Sequence, residues 1–122
     1  MERILEHGKL DISGRLFLSM EIKAKLWLEV NGKPVMGEGR AELLEQIDQT
    51  KSLSESARRL GLSYRYAWGM IRDMENNLGK KILLSYRGGA GGGKTELTQE
   101  GKDLLREFRE KEELFRKCIR GG

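Results

Sequence analysis

A winged helix-turn-helix, an α+β fold with an N-terminal β-hairpin and a long C-terminal helix, is predicted by three features of this sequence. Ala57 and Gly61 stand where two stretches of helical periodicity meet at a tight turn. A glycine-rich run from Gly88 to Gly93 is bracketed by strand-like segments. The excess positive charge is concentrated in the same part of the chain. The 122 residues suit one domain with one core. It divides into an N-terminal β-hairpin extension (1–37), a winged helix core (40–97) and a C-terminal dimerisation helix (98–120).

The elements follow in order. Ile22 to Val30 alternates apolar and polar residues, as a half-buried strand does. Asn31-Gly32 is a strong hairpin-turn signal, and Lys33 to Met36 returns as a short strand that Pro34 places at an edge. Arg15 to Met20 is a further strand candidate. Gly37-Glu38-Gly39 interrupts the pattern. A first helix is predicted from Arg40 to Gln49, with Ala41, Leu44, Ile47 and Asp48 at helical spacing and Leu43 widening the stripe. Lys51 and Ser52 form a turn. A second helix runs from Leu53 to Leu60, with Ser54 as N-cap and Leu53 packing back as a staple. After Gly61-Leu62-Ser63, Ser63 caps a third helix that reaches Leu78 and stops at Gly79. Ile82 to Tyr86 and Thr95 to Leu97 are strands around a glycine loop. Thr98 caps the last helix, with Leu104, Leu105, Phe108, Leu114, Phe115 and Ile119 on one face.

Two helices crossing steeply need a small residue at the contact and a permissive residue in the turn. Ala57 and Gly61 meet those needs, with Leu60, Leu62, Ala67 and Ile71 completing an apolar seam. The third helix sorts into two faces. Ala67, Trp68, Ile71, Met74 and Leu78 form the predicted buried stripe, which assigns Trp68 to the core. Ser63, Arg65, Gly69, Arg72 and Asn76 lie opposite. They offer guanidinium, hydroxyl and amide groups of the kind that bond base edges and phosphates, and Gly69 permits close approach. Arg65 is the first candidate for a base contact, and Arg72 for a base or a phosphate. Tyr64 and Tyr66 are candidates for phosphate contacts through their hydroxyls, or for packing. Arg58 and Arg59 on the second helix are candidates for backbone contacts, or for ordinary solvated surface.

Charge agrees with this placement. Net charge is +4, and residues 53–96 alone hold eight basic against four acidic residues. Phosphate contacts need local rather than global positive charge, so a polyanion-binding face over residues 53–96 is the reading favoured over a basic patch with no partner. One Cys (Cys118) and one His (His7) exclude a disulfide framework and an ordinary zinc cluster within one chain. No metal, cofactor or catalytic constellation is predicted, and an enzyme is not expected. The lone thiol fits a cytoplasmic setting. Charges at Glu2, Arg3, Glu6 and Lys9 argue against a signal peptide, and no apolar run is long enough for a membrane span. With no exposed aromatic platform expected, RNA is disfavoured as a partner.

Gly88 to Thr95 satisfies the phosphate-loop pattern GxxxxGK[ST]. In such a loop the lysine and hydroxyl residue open a helix whose N-terminus faces the phosphates. Here Thr95 to Leu97 is predicted as a strand, and the next helix begins only near Thr98. The reading adopted is a β-hairpin wing over 82–97, its tip against the sugar-phosphate backbone and Arg87 and Lys94 supplying charge at its base; a flexible loop with no role is the remaining alternative.

Segment 40–109 resembles the N-terminal DNA-binding domain of the molybdate-responsive transcriptional regulators, the ModE family. The likeness is carried by Gly39-Arg-Ala through Ile47-Asp, by Ser52-Leu-Ser-Glu-Ser-Ala-Arg-Arg-Leu-Gly-Leu-Ser-Tyr-Arg-Tyr-Ala-Trp68, by Arg87-Gly-Gly-Ala-Gly-Gly-Gly-Lys94, and by Leu97-Thr-Gln-Glu-Gly101. LysR-type regulators share a similar unit. The resemblance implies a winged helix, a homodimer and a palindromic operator in double-stranded DNA. Full-length members continue into a molybdate-binding region, whereas this chain stops at Gly122, so no oxyanion site or effector is carried over. The expected function is therefore sequence-specific transcription regulation, with recognition helix 64–78 in the major groove. The alternatives are a protein-interaction module using the same helices and a non-specific architectural DNA-binding protein.

Overall fold

The computed structural model describes the backbone of residues 4–5, 8–10 and 16–18, and residues 20–86 and 93–120 in full. The N-terminal region holds more sheet than one hairpin. Strands β1 (Ile4–Leu5), β2 (Gly8–Leu10) and β3 (Leu16–Leu18) pair antiparallel in that order. The predicted hairpin follows as β4 (Trp27–Val30) and β5 (Lys33–Gly37). Asn31 and Gly32 both take positive φ, 52° and 77°, as a two-residue turn matched to strand twist requires. β4 is shorter than the alternation from Ile22 suggests. Its pairing ends at Trp27 opposite Gly37, where the partner strand turns into a helix. Residues 21–25 pair with no strand among the described residues and are exposed.

Helix α1 spans Glu38–Thr50 and starts inside the glycine pair expected to break the pattern, with extended Gly37 as its N-cap. Ala41, Leu43, Leu44 and Ile47 are buried, whereas Asp48, placed on the apolar stripe by spacing, is exposed and ion-paired to Lys51 at 3.5 Å. Lys51 ends the helix at φ 58° and donates its backbone N–H to Ile47 O at 2.8 Å. Helix α2 (Leu53–Arg59) is capped by Ser52 rather than by Ser54. The Ser52 hydroxyl oxygen accepts from the Glu55 N–H at 3.0 Å, and Leu53 is the first helical residue, already buried. Ser56 is fully buried, yet its hydroxyl donates to Ser52 O at 2.7 Å and meets the Thr50 hydroxyl at 2.8 Å. That satisfaction is what lets a polar group lie under the turn.

Between α2 and α3 (Tyr64–Leu78), Ala57 is 1% exposed, Gly61 has φ 70°, and the Leu62 N–H donates to Ala57 O at 2.9 Å. Ser63 caps α3 by accepting from the Tyr66 N–H at 3.0 Å, and Gly79 ends it in the left-handed region. Ala67, Ile71 and Met74 are buried against α1 and β5 residues such as Met36. The two-stranded wing is β6 (Leu83–Tyr86) with β7 (Lys94–Leu97), and α4 (Gln99–Ile119) follows. Thr98 caps α4 by accepting from the Gly101 N–H at 3.0 Å, while its own hydroxyl donates to Lys81 O at 2.6 Å. Phe108 is the one large α4 side chain fully in the core, with Leu104 and Leu105 half-buried.

Candidate nucleic-acid interface

The third helix is held from three sides before any side chain points outward. On one side the Asn77 amide donates to Pro34 O at 2.8 Å, linking α3 to β5. On another, Arg40 at the start of α1 approaches Asp73 at 3.7 Å. At the far end the Glu75 carboxylate accepts the Ile82 N–H at 2.8 Å and the Leu83 N–H at 3.4 Å, so the first residues of the wing hang from α3. The wing has a second attachment, because the Thr95 N–H donates to Lys51 O at 2.9 Å in the turn after α1. Helix α3 and the wing are therefore parts of one hydrogen-bonded frame.

Ser63, Tyr64, Arg65, Tyr66, Gly69 and Arg72 all lie on or beside α3 and all are exposed. The acids nearest in sequence are occupied elsewhere, Asp73 with Arg40 and Glu75 with backbone N–H groups. Among the described residues neither Arg65 nor Arg72 forms an ion pair, which leaves two guanidinium forks facing water. Arg58 and Arg59 differ. Both bond Glu55, Arg58 through Nε at 3.0 Å and Arg59 through Nε at 3.3 Å. The Arg58 hydrogen bond lowers the Glu55 carboxyl to a pKa of about 2. Three charges thus leave one net positive at the end of α2. Lys94, expected at the wing base, stands instead in the strand pair nearest the glycine loop, opposite Tyr86; it is likewise paired, to Glu96 at 2.9 Å, and that hydrogen bond raises its ammonium pKa. Arg87 and the glycine tip lie outside the described residues.

Two corrections concern aromatic side chains. Trp68, assigned by spacing to the core, is 39% exposed. At 100° per residue it stands beside the buried row formed by Ala67, Ile71 and Met74 rather than within it, and those side chains already fill the contact with α1 and β5. Tyr64 is 53% and Tyr66 59% exposed, as a phosphate contact rather than a packing role requires, so Trp68 adds to an aromatic surface on α3. Tyr86, 48% exposed and directly across from Lys94, is a wing residue that was not among the expected contacts. Its signal was its place as the last strand residue before the glycine run.

The phosphate-loop alternative fails on geometry. Lys94 and Thr95 open strand β7, and helix α4 begins at Gln99, so these two residues do not stand at a helix N-terminus. Among the described residues no helix is long and apolar enough to cross a membrane.

Comparison with known proteins agrees with this geometry. A transcriptional regulator ModE of Yersinia pestis is 38% identical over 87 residues, covering 70% of this chain and 33% of the relative. The DNA-binding transcriptional dual regulator ModE of Escherichia coli (strain K12) is 36% identical over 87 residues, again 70% of this chain and 33% of the relative. The molybdenum-pterin-binding protein MopB of Rhodobacter capsulatus is 40% identical over 70 residues, 57% of this chain and 26% of the relative. The matched part of the chain spans about a third or less of the length of these curated relatives. The family profile of the bacterial regulatory helix-turn-helix proteins, lysR family, matches residues 40–102, from the start of α1 to the first turn of α4. More than half of the chain lies in that match, and the chain belongs to the lysR family of bacterial regulatory helix-turn-helix proteins.

Proposed function

We propose that this chain is a DNA-binding transcription regulator that lays α3 in the major groove and the wing, residues 82–97, along the sugar-phosphate backbone, acting as a homodimer on a palindromic operator. The observation that carries the proposal is the exposed row Arg65, Gly69, Arg72 and Asn76 on a helix anchored to β5, α1 and the wing. Guanidinium forks on such a helix match guanine O6 and N7 in shape and charge. Arg65, in the first turn, is assigned a base contact, and Arg72, two turns on, a base or phosphate. Ser63, Tyr64 and Tyr66 are assigned phosphates beside the helix N-terminus. Arg58, Arg59, Arg87 and Lys94 supply sequence-independent attraction, which falls with salt as counterions compete. The relatives named as ModE regulators support this reading. No effector is part of it, because the molybdenum named in the relatives belongs to proteins of which this chain matches only a part.

The distal half of α4 supports the dimer. Leu114 is 65% and Phe115 39% exposed, and Ile119 is partly exposed on the same helix. On a palindromic operator a two-fold dimer must present its two copies of α3 about 34 Å apart, one turn of duplex. The test is selection of bound duplexes from a random pool, followed by binding to the best site over a range of salt. Enrichment of an inverted repeat, lost in an Arg65→Ala Arg72→Ala double variant, is the expected result. Salt-sensitive binding without an enriched site would make the chain an architectural protein. No binding to any duplex would leave a protein-interaction module.

A further inference from the structure

The outer side of α3 carries an apolar group that its arginines do not explain. Trp68 stands one turn after Tyr64, three residues after Arg65 and one turn before Arg72, with 39% of its surface exposed. Beside it Gly69 contributes no side chain, and a Cβ built there would meet nothing within 4 Å. One side of the indole is therefore open to whatever approaches the helix. Exposed indole is better placed against an apolar group than against water. A partner covering this face must therefore combine negative charge for Arg65 and Arg72 with an apolar group between them.

A duplex major groove offers both, and the apolar group displayed on its base edges is the C5 methyl of thymine. We propose that Trp68 is a specificity-determining residue that selects thymine through that methyl group, at a position between those contacted by Arg65 and Arg72. The inference rests on the major-groove placement of α3 proposed above. Unpaired bases fit the surface less well. Successive aromatics at 64, 66 and 68 are each turned by about 200° along a helix, so Tyr66 faces away from the other two and no continuous stacking platform exists.

The test uses the selected operator with each thymine replaced singly by deoxyuridine, which removes the methyl and leaves base pairing and charge intact. Affinities are measured at one salt concentration for the unaltered chain and for Trp68→Ala, with Trp68→Gln as a second variant should alanine prevent folding. One substituted position should weaken the unaltered chain about three- to fivefold, the factor for leaving one methyl in water. The same substitution should leave the Trp68 variant unaffected. Equal losses in both proteins would assign the methyl to another residue and overturn the proposal. Insensitivity at every thymine would overturn it too, while leaving operator recognition standing. Tighter binding to a single strand than to the duplex would overturn it in favour of base stacking. Failure to select any site would remove the major-groove placement itself, and this inference with it.

Discussion

Two helical glycines offer a matched test of how closely the elements pack. Gly101, in the first turn of α4, is buried, and a Cβ there would stand 2.7 Å from Ile82 O and 3.3 Å from Ile82 Cγ2. That oxygen belongs to the backbone and already accepts the Thr98 N–H at 2.8 Å. It can retreat only by weakening the attachment of α4 to the wing. Gly69 is exposed on α3 with open space around it. Replacing glycine by alanine in an exposed helix gains up to about 1 kcal/mol from backbone entropy and propensity. At Gly69 nothing opposes that gain. At Gly101 the same gain is outweighed by overpacking of about 1–3 kcal/mol and a strained hydrogen bond of about 1 kcal/mol. Gly69→Ala should therefore stabilise slightly and Gly101→Ala destabilise by about 1–3 kcal/mol net, a gap of about 2–4 kcal/mol between identical substitutions. Urea denaturation followed by circular dichroism reads the gap directly, and each kcal/mol corresponds to roughly 4 °C in Tm for a domain of this size. A Gly101→Ala variant as stable as Gly69→Ala would refute the close approach of α4 to Ile82.

Three further outcomes are expected. Ser52→Ala should cost about 1 kcal/mol through loss of the α2 cap, while Ser54→Ala, on exposed surface, should stay within about 0.5 kcal/mol, again by urea denaturation. Arg109 bonds Glu45 at 2.6 Å, Glu38 at 2.6 Å and Glu112 at 3.0 Å, tying α4 to α1. Arg109→Leu should lose about 1–2 kcal/mol at neutral pH, because three carboxylates are left together. The Arg109 hydrogen bond lowers the Glu38 pKa below its ordinary 4.5. A carboxyl depressed in the folded state stabilises above its unfolded value and loses that contribution as pH falls through the folded one. The gap between wild type and variant should therefore be full near pH 7 and shrink on acidification below about 4.5 in denaturation curves; a gap independent of pH would refute the ion-pair account. Arg65→Ala should cost about 1–3 kcal/mol and relax preference at a single base position; uniform loss across all sequences, measured on a panel of single-base operator variants, would make Arg65 a phosphate contact.

Much of the fold was legible because its signals are local. Asn31-Gly32, Gly61 and Gly79 adopt the positive φ their turns require, and Ser63 and Thr98 cap the helices they precede. Each outcome depends on a few adjacent residues, so sequence suffices. Periodicity likewise identified Ala67, Ile71 and Met74 as core, and charge distribution directed attention to residues 53–96. The errors share a different origin. Ser52 and Ser54 are both able to cap α2, and the choice follows from where Lys51 ends α1. Alternation from Ile22 could not become a strand beyond Trp27, because the partner strand had ended.

What the sequence determined by itself was the order of elements, their turns, and the row of polar and basic residues along α3. Only the tertiary structure decided which of those charges stay free. Asp73 is taken by Arg40, thirty-three positions away, and Glu75 by the backbone of the wing, which leaves Arg65 and Arg72 without an ion pair among the described residues. It also decided that Trp68 faces outward, since the room for an indole in the core depends on how α1, β5 and α3 together fill it. Burial and charge pairing are properties of neighbours brought together by folding, and a periodic pattern records only the direction in which each side chain leaves its own helix.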